Sequence, residues 1–246
     1  IYYGDIVSRF QLDKIEDRIT FEVKDLEYKF KSGKTGLHPL SFTEESGRLI
    51  GIMGASGAGK STLLNVLNGY SPPTSGQVLI NGVDIFREEE KIEGLIGHVS
   101  QDDLLIEELS VYQNLYYNAR LCFGHYSDSQ LKEVVGTIMN ELDLTEIRNL
   151  KVGTPLNKFI SGGQRKRLNI GLELMREPGI LYIDEPTSGL SSMDAENVIR
   201  LLKEQTVKGK LVIANIHQPN SNIFKMLDKL WVLDKGGFPV YAGNPV

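Results

Sequence analysis

The chain has 246 residues, 41% of them hydrophobic and 24% charged, with a formal net charge of −5. That length buries a sizeable core in one large or two small domains, and the acidic balance disfavours a phosphate backbone as ligand, so no nucleic-acid partner is expected. The single cysteine, Cys122, excludes an internal disulfide and any Cys-cluster zinc site, and reads as a small core residue on a helix.

No apolar run approaches the ~20 residues that cross a bilayer, and no signal-peptide segment is visible. The chain as given is expected to be soluble. It starts at Ile1 rather than Met and stops at Val246 soon after a strand-like run, so a membrane part is expected outside it.

Residues 1–18 mix aromatic and charged side chains and read as a leader or linker. From 19 to 30 the pattern alternates, with Ile19, Phe21 and Val23 facing one way and Thr20, Glu22 and Lys24 the other, which predicts a half-buried strand. Residues 32–36 form a turn cluster. Leu49–Gly54 predicts a short apolar strand. A helix is expected from about Gly59 through Leu63, Leu64, Val66 and Leu67, stopping near Gly69 ahead of Pro72 and Pro73. Residues 78–80 and 96–100 predict further strands. After Gln101 the period becomes helical, over 111–123 and along the stripe Leu131, Val134, Val135, Ile138, Met139 and Leu142. From Gly179 the chain returns to strands at 180–183, 211–216 and 229–234, with a helix at about 192–205. Parallel strands joined by helices predict a doubly wound α/β sheet. The chain thus divides into a leader (1–18), a first core part (19–101), a helical subdomain (102–177) and a second core part (178–246).

Gly54-Ala55-Ser56-Gly57-Ala58-Gly59-Lys60-Ser61 matches the phosphate-loop pattern G-x-x-x-x-G-K-[ST]. Its glycines let backbone N–H groups turn inward and come close to phosphates. Lys60 is placed to reach the β- and γ-phosphates and Ser61 to hold Mg²⁺, with Thr62 next in the same binding segment. The helix that starts here aims its positive end at the anion. A strand before and a helix after set this match apart from a purely structural glycine-rich turn.

The run Ile180-Leu181-Tyr182-Ile183 ends in Asp184-Glu185. Asp184, at the tip of a buried strand, can bind Mg²⁺ directly or through water. Glu185, one residue further, can orient and polarise an attacking water. Alone, the pair could equally be a solvated acidic strand end; the phosphate loop upstream favours the catalytic reading.

Ile160-Ser161-Gly162-Gly163-Gln164 precedes a helical run with Leu168, Leu172 and Met175 on one face. Ser161 is a good N-cap. Ser161, Gly162 and Gly163 therefore sit at a helix N-terminus, with N–H groups and a hydroxyl open to an anion. A capped helix with a flexible glycine pair fits the same residues. Arg165, Lys166 and Arg167 crowd the first turns, where exposed cations oppose the helix dipole by roughly 0.3–1 kcal/mol each. A bound phosphate is expected to remove that conflict. If the segment caps the helical insert, its natural ligand is the nucleotide of a second molecule.

In this order the motifs resemble the ATP-binding domain of ABC transporters, over about residues 19–246, and most of all the G-type (White/multidrug) half-transporters. The resemblance is also carried by Val99-Ser100-Gln101-Asp102-Asp103, by Ser110-Val111, by the signature run through Arg167, and by Ile216-His217-Gln218-Pro219. It implies ATP and Mg²⁺ as ligands. Gln101 is similar to the Q-loop glutamine, which touches Mg²⁺ and water and links the catalytic core to the membrane partner. His217 is similar to the switch histidine at the γ-phosphate, although on its own it would read as a satisfied histidine after a strand. Phe30, or alternatively Tyr28, matches the aromatic that stacks on adenine. Gln164 joins Ser161, Gly162 and Gly163 in the motif that meets the other copy's nucleotide. His38, His98 and His125 match nothing. One position departs from the family: Ser191 stands where the D-loop carboxylate is usual, after Pro186-Thr187-Ser188-Gly189-Leu190. Ser191-Ser192-Met193-Asp194 resembles a capping box with Asp in the reciprocal place. Ser191 is therefore expected to cap the next helix, and coupling between two sites to be altered.

The expected fold is α/β: a phosphate-loop NTPase core sheet, an N-terminal antiparallel β portion and an inserted helical subdomain. The resemblance implies ATP hydrolysis that powers an ABC transporter, expected to be an exporter, at the cytoplasmic (inner) face of the cell membrane. Two copies are expected to pair head to tail on ATP, with a transmembrane domain C-terminal on the same full-length chain. The alternatives are a soluble ABC-type ATPase without a membrane part, a regulatory module with vestigial hydrolysis, and another phosphate-loop enzyme such as a small-molecule kinase. A kinase would lack Ser161, Gly162 and Gly163. Intact Lys60, Asp184, Glu185 and His217 argue against a vestigial module. The soluble ATPases often carry two cassettes or long coiled coils, and this chain has neither.

Overall fold

Backbone pairing organises one compact unit, Ile19–Asp102 with Pro178–Val246, and helix packing another, Asp103–Glu177. The computed structural model describes residues 18–154 and 159–245, so the leader, apart from Arg18, lies outside the described residues.

The first unit opens with an antiparallel sheet of β1 (Thr20–Lys29), β2 (Thr35–Glu45), β4 (Ser75–Ile80) and β5 (Val83–Asp84), in the order β2-β1-β4-β5. Phe21 and Val23 are buried, as the alternation predicts. The alternation then breaks. Asp25 adopts φ 45°, and the pairing of β1 with β2 shifts between Val23 and Leu26, so Leu26 takes the next buried place. Strand β2 escapes the sequence reading because Pro39 interrupts it; the strand lies at the sheet edge, where a residue without an N–H is tolerated.

The second sheet runs β10-β9-β3-β8-β7-β6. Its strands are β3 (Leu49–Gly54), β6 (Ile96–Val99), β7 (Ile180–Asp184), β8 (Leu211–Asn215), β9 (Lys229–Asp234) and β10 (Phe238–Gly243). All pair in parallel except β10, which returns antiparallel beside β9. Central strands covered on both faces need apolar residues throughout, and all five residues of β8 are buried. Helix α1 (Lys60–Leu67) contributes Leu63 and Leu64 to the buried core cluster that also holds Phe21, Leu26, Ile50, Ile52, Tyr182, Ile213 and Trp231. Helix α5 (Ser192–Val207) buries Val198, Ile199 and Leu202. The short α6 (Ser221–Met226) follows β8.

The other unit holds α2 (Val111–Cys122), α3 (Asp128–Glu141) and α4 (Gly162–Leu174). All three begin with the same device. Ser110, Ser127 and Ser161 each accept the N–H of the glutamine three residues on, and Gln113, Gln130 and Gln164 each accept the serine's N–H in return. Each box satisfies two backbone donors that a helix start would otherwise leave unpaired.

The start of β3 is pinned by Asp228. Its Oδ2 accepts the Leu49 N–H at 2.7 Å, and both carboxylate oxygens accept from Lys203 Nζ at 2.6 Å. Asp228→Ala is expected to cost about 1.5 kcal/mol, and Asp228→Asn less, because an amide oxygen still accepts from Leu49; urea denaturation of both variants measures the difference.

Candidate functional site

Strand register decides where the sequence motifs meet. Ile52 of β3 and Asp184 of β7 both stand level with Asn215 of β8, and Val99 of β6 stands level with Ile183. The strands are parallel, so the loops that follow them leave at the same edge. One edge of the sheet thus carries the phosphate loop after β3, Gln101 after β6, Glu185 after β7 and His217 after β8. Ligands of open α/β sheets bind at the carboxyl ends of the strands.

The phosphate loop is shaped by its glycines. Gly54 has φ 155°, and a Cβ there would lie 2.3 Å from the Leu233 carbonyl oxygen. Gly57 and Gly59 have φ 76° and 91°. Lys60 is 8% exposed, and its Nζ donates to the carbonyls of Gly54 at 2.9 Å and Ala55 at 3.1 Å. The ammonium is therefore held against the loop backbone, with its position fixed at two points. Ala58 is buried, while Ala55, Ser56 and Ser61 are exposed and Thr62 is half-buried. Helix α1 starts after Gly59 with no side-chain cap and no acidic residue in its first turn. Its N–H groups and positive end are left for an anion. The cradle thus fits the phosphates of a nucleotide.

Asp184 and Glu185 are half-buried. The Asn215 Nδ2 donates to Asp184 Oδ1 at 2.6 Å, and the Asn215 carbonyl accepts the Glu185 N–H at 3.1 Å. Glu185 holds φ 46° and Gln218 holds φ 49°, a left-handed backbone that costs energy in a non-glycine residue. His217 and Gln101 are exposed. Among the described residues no cluster of three His, Cys, Asp or Glu side chains could by itself hold a metal ion. Ser61, Gln101 and Asp184 are hard oxygen donors that suit Mg²⁺ when phosphate and water complete its shell. Two residues before Asp184, the Tyr182 hydroxyl is buried without a partner, and burial pushes its pKa well above the usual phenol value.

Sequence reasoning missed Asn215. Its only signal was a lone amide at the end of the apolar run Leu211-Val212-Ile213-Ala214. Phe30 is 41% exposed and meets Tyr28 edge-on, with ring centroids 5.3 Å apart. Phe30 offers ring surface for a base to stack on, and Tyr28 is the more buried of the two. A separate cleft of about 190 Å³, lined by Phe42, Leu63, Trp231 and Tyr241 among others, includes none of these site residues.

Ser161 caps α4 as the sequence predicts, with Gly162 and Gly163 in the first turn. Gln164 has a local partner that the sequence reading did not assign: its Oε1 accepts the Ser161 N–H at 2.8 Å. The expectation for the neighbouring cations needs correcting. Arg165 donates to both oxygens of Asp103, from Nε at 2.5 Å and Nη2 at 3.1 Å, and to the Gly153 carbonyl at 2.6 Å. Arg167 Nε donates to the Leu142 carbonyl at 2.8 Å, at the C-terminal end of α3, where a cation is favourable. No phosphate is needed to relieve either charge.

Ser191 caps α5 and accepts the Asp194 N–H at 3.2 Å. The reciprocal half differs from the expected box. The Ser191 hydroxyl donates to Asp194 Oδ2 at 2.9 Å, because the aspartate side chain is one methylene shorter than the usual glutamate.

A phosphate cradle and an acidic strand end on one edge of a parallel sheet define a phosphate-loop nucleoside triphosphatase. The chain matches the ABC transporter family over residues 37–188. It is 45% identical over 200 residues to an ABC-type transporter, claG, of Penicillium crustosum, covering 81% of this chain and 26% of that protein. It is 37% identical over 212 residues to ATP-binding cassette sub-family G member 8 of Rattus norvegicus, covering 85% of this chain and 30% of that protein. It therefore spans under a third of the length of these curated relatives. Its structure is similar to that of cbiO1 from Clostridium perfringens, part of an ABC transporter complex, with a TM-score of 0.82 and 27% identity over 93% of this chain and 90% of that one. A second neighbour, an ATP-binding cassette of an ABC transporter in its ADP conformation, gives a TM-score of 0.76 and 25% identity over 93% and 92%. The chain belongs to the ABC transporter family and is one of its ATP-binding cassettes, the ATPase part of such transporters. No helix among the described residues is long and apolar enough to cross a membrane.

Arg165 sits buried beside the carboxylate it neutralises, and removing one member of such a pair strands the other. Arg165→Ala is expected to cost about 3 kcal/mol, and Arg165→Lys to recover only part, because one ammonium cannot make two parallel bonds to Asp103; thermal denaturation compares the two.

Proposed function

We propose that this chain is the ATP-hydrolysing motor of a G-type half-transporter that works as an exporter. The observation that carries this reading is the register that brings the phosphate loop, Asp184, Glu185 and His217 to one sheet edge. Membership of the family and its G-type relatives support the transporter part. The transmembrane domain is proposed to lie C-terminal on the same full-length chain, with the cassette at the cytoplasmic face of the membrane.

The loop N–H groups from Gly54 to Ser61 bind the β- and γ-phosphates, and Phe30 stacks on adenine. Lys60, already fixed at the loop, balances charge on the transferring phosphoryl group. Ser61, Asp184 and Gln101 would hold Mg²⁺, which would add charge neutralisation at the phosphate oxygens. Glu185 orients water for in-line attack and takes up its proton through the carboxylate. His217 donates a hydrogen bond to the γ-phosphate. Gln101 joins this edge to the segment that answers to the membrane domain.

The start of α4 is the second half of the reading. Ser161 Oγ accepts a backbone N–H, yet its own proton remains to be donated, and the first two helical positions, half-buried Gly162 and buried Gly163, carry no side chain. A γ-phosphate bound to a second copy fits this helix mouth. Two cassettes would then close head to tail on ATP and separate after hydrolysis, pulling on the membrane domains as they do so.

Glu185→Gln is expected to bind ATP normally and lose hydrolysis by at least ~100-fold, with ATP now holding the full-length protein's cassettes together in crosslinking. Hydrolysis at the wild-type rate would remove Glu185 from its role. Ser191→Asp keeps a good N-cap, so α5 survives; a changed cooperativity in ATP titrations is expected if this position couples the two sites, and unchanged rate and cooperativity would show that it does not.

A further inference from the structure

Asn215 occupies a costly place. The four preceding residues of β8 are apolar and buried, and Asn215 itself is 1% exposed. An apolar residue would complete the strand without cost. Asn215 instead buries an amide, and its Oδ1 finds no hydrogen-bond donor. An unpaired buried acceptor opposes folding and calls for an explanation beyond stability.

The rest of the residue supplies one. Its Nδ2 donates to Asp184 Oδ1 at 2.6 Å, and its backbone carbonyl accepts from the Glu185 N–H at 3.1 Å. Turning the amide over would set two acceptors against each other at that distance, so the hydrogen bond fixes the amide orientation and with it the unpaired oxygen. One residue therefore touches both members of the acidic pair, and His217 follows two positions later. The backbone bond helps to hold Glu185 at φ 46°. The side-chain bond occupies one oxygen of Asp184 and sets the plane of its carboxylate.

We infer that Asn215 is a positioning residue: its side-chain amide aims the free oxygen of Asp184 at the nucleotide-bound divalent cation. This rests on the proposed role of Asp184 and deepens it. Groups that orient a metal-binding carboxylate typically change metal affinity or activity by 10- to 100-fold when removed.

The test uses the full-length protein with three variants. Asn215→Leu keeps the number and branching of the side-chain heavy atoms and the backbone carbonyl but removes the donor and takes up more room. Asn215→Thr is close to Asn in volume and keeps a hydroxyl donor, one bond shorter, that acts directly or through a water. Asp184→Asn tests the underlying site. Each is titrated with Mn²⁺ in the presence of ATP by electron paramagnetic resonance, and kcat and KM for ATP are measured in parallel. Asn215→Leu is expected to weaken Mn²⁺ binding and lower kcat by ~10-fold or more, with ATP binding in the absence of metal unchanged, and Asn215→Thr to retain more of both than Leu. The inference is overturned if Leu matches the wild type, or if Thr, which restores both a donor and the volume, does no better than Leu. Should Asn215→Leu fail to fold, a Thr variant with wild-type Mn²⁺ affinity and kcat supports the donor role, and one no better than Asp184→Asn overturns it. If Asp184→Asn itself binds Mn²⁺ like the wild type, the underlying reading of Asp184 fails instead.

Discussion

Everything at the candidate site's edge depends on the in-register parallel pairing of β8 with β3 and β7. Parallel strands emit their following loops on one side, and a common level at Asn215 sets those loops at matched heights. A slip of one residue in either pairing would move Asp184 or the phosphate loop off that level and turn each strand's side chains to the opposite face. The strands resist such a slip because they are buried on both sides. Ile50, Ile52, Leu181, Ile183, Val212 and Ile213 fill close-packed space that leaves little room for adjustment.

Most of the parallel strands were legible in the sequence because they are short apolar runs bounded by turn residues, although β6 carries Gly97 and His98 inside its run. What the sequence hid has identifiable causes. Strand β2 carries an internal proline at an edge, where the usual argument against a strand lapses. Strand β10 is exposed almost throughout, so no burial pattern marks it. In β1 a single left-handed residue, Asp25, resets the alternation. Asn215 was invisible because its importance lies in contacts between strands that are far apart in sequence.

The cations after Gly163 teach a similar lesson. Read along the chain, Arg165 and Arg167 look misplaced, because a helix dipole repels positive charge at its start. Read in three dimensions, Arg165 is matched by the Asp103 carboxylate and Arg167 by carbonyls at the end of another helix. Local electrostatics posed a question that tertiary contacts answer, and the answer leaves the anion reading of this helix resting on its backbone and the Ser161 hydroxyl.

That backbone has a further consequence. Helices α2 and α3 open with the same serine–glutamine pair as α4, but with side chains filling the first turn: Val111 and Tyr112 in one, Asp128 and Ser129 in the other. Only α4 has glycines there. Each glycine weakens a helix by on the order of 1 kcal/mol, and a good cap restores an amount of similar size. The reciprocal cap thus lets α4 begin with two residues that carry no side chain without fraying, so a mouth where Ser161 is exposed and Gly162 half-buried stays as well ordered as one walled by side chains.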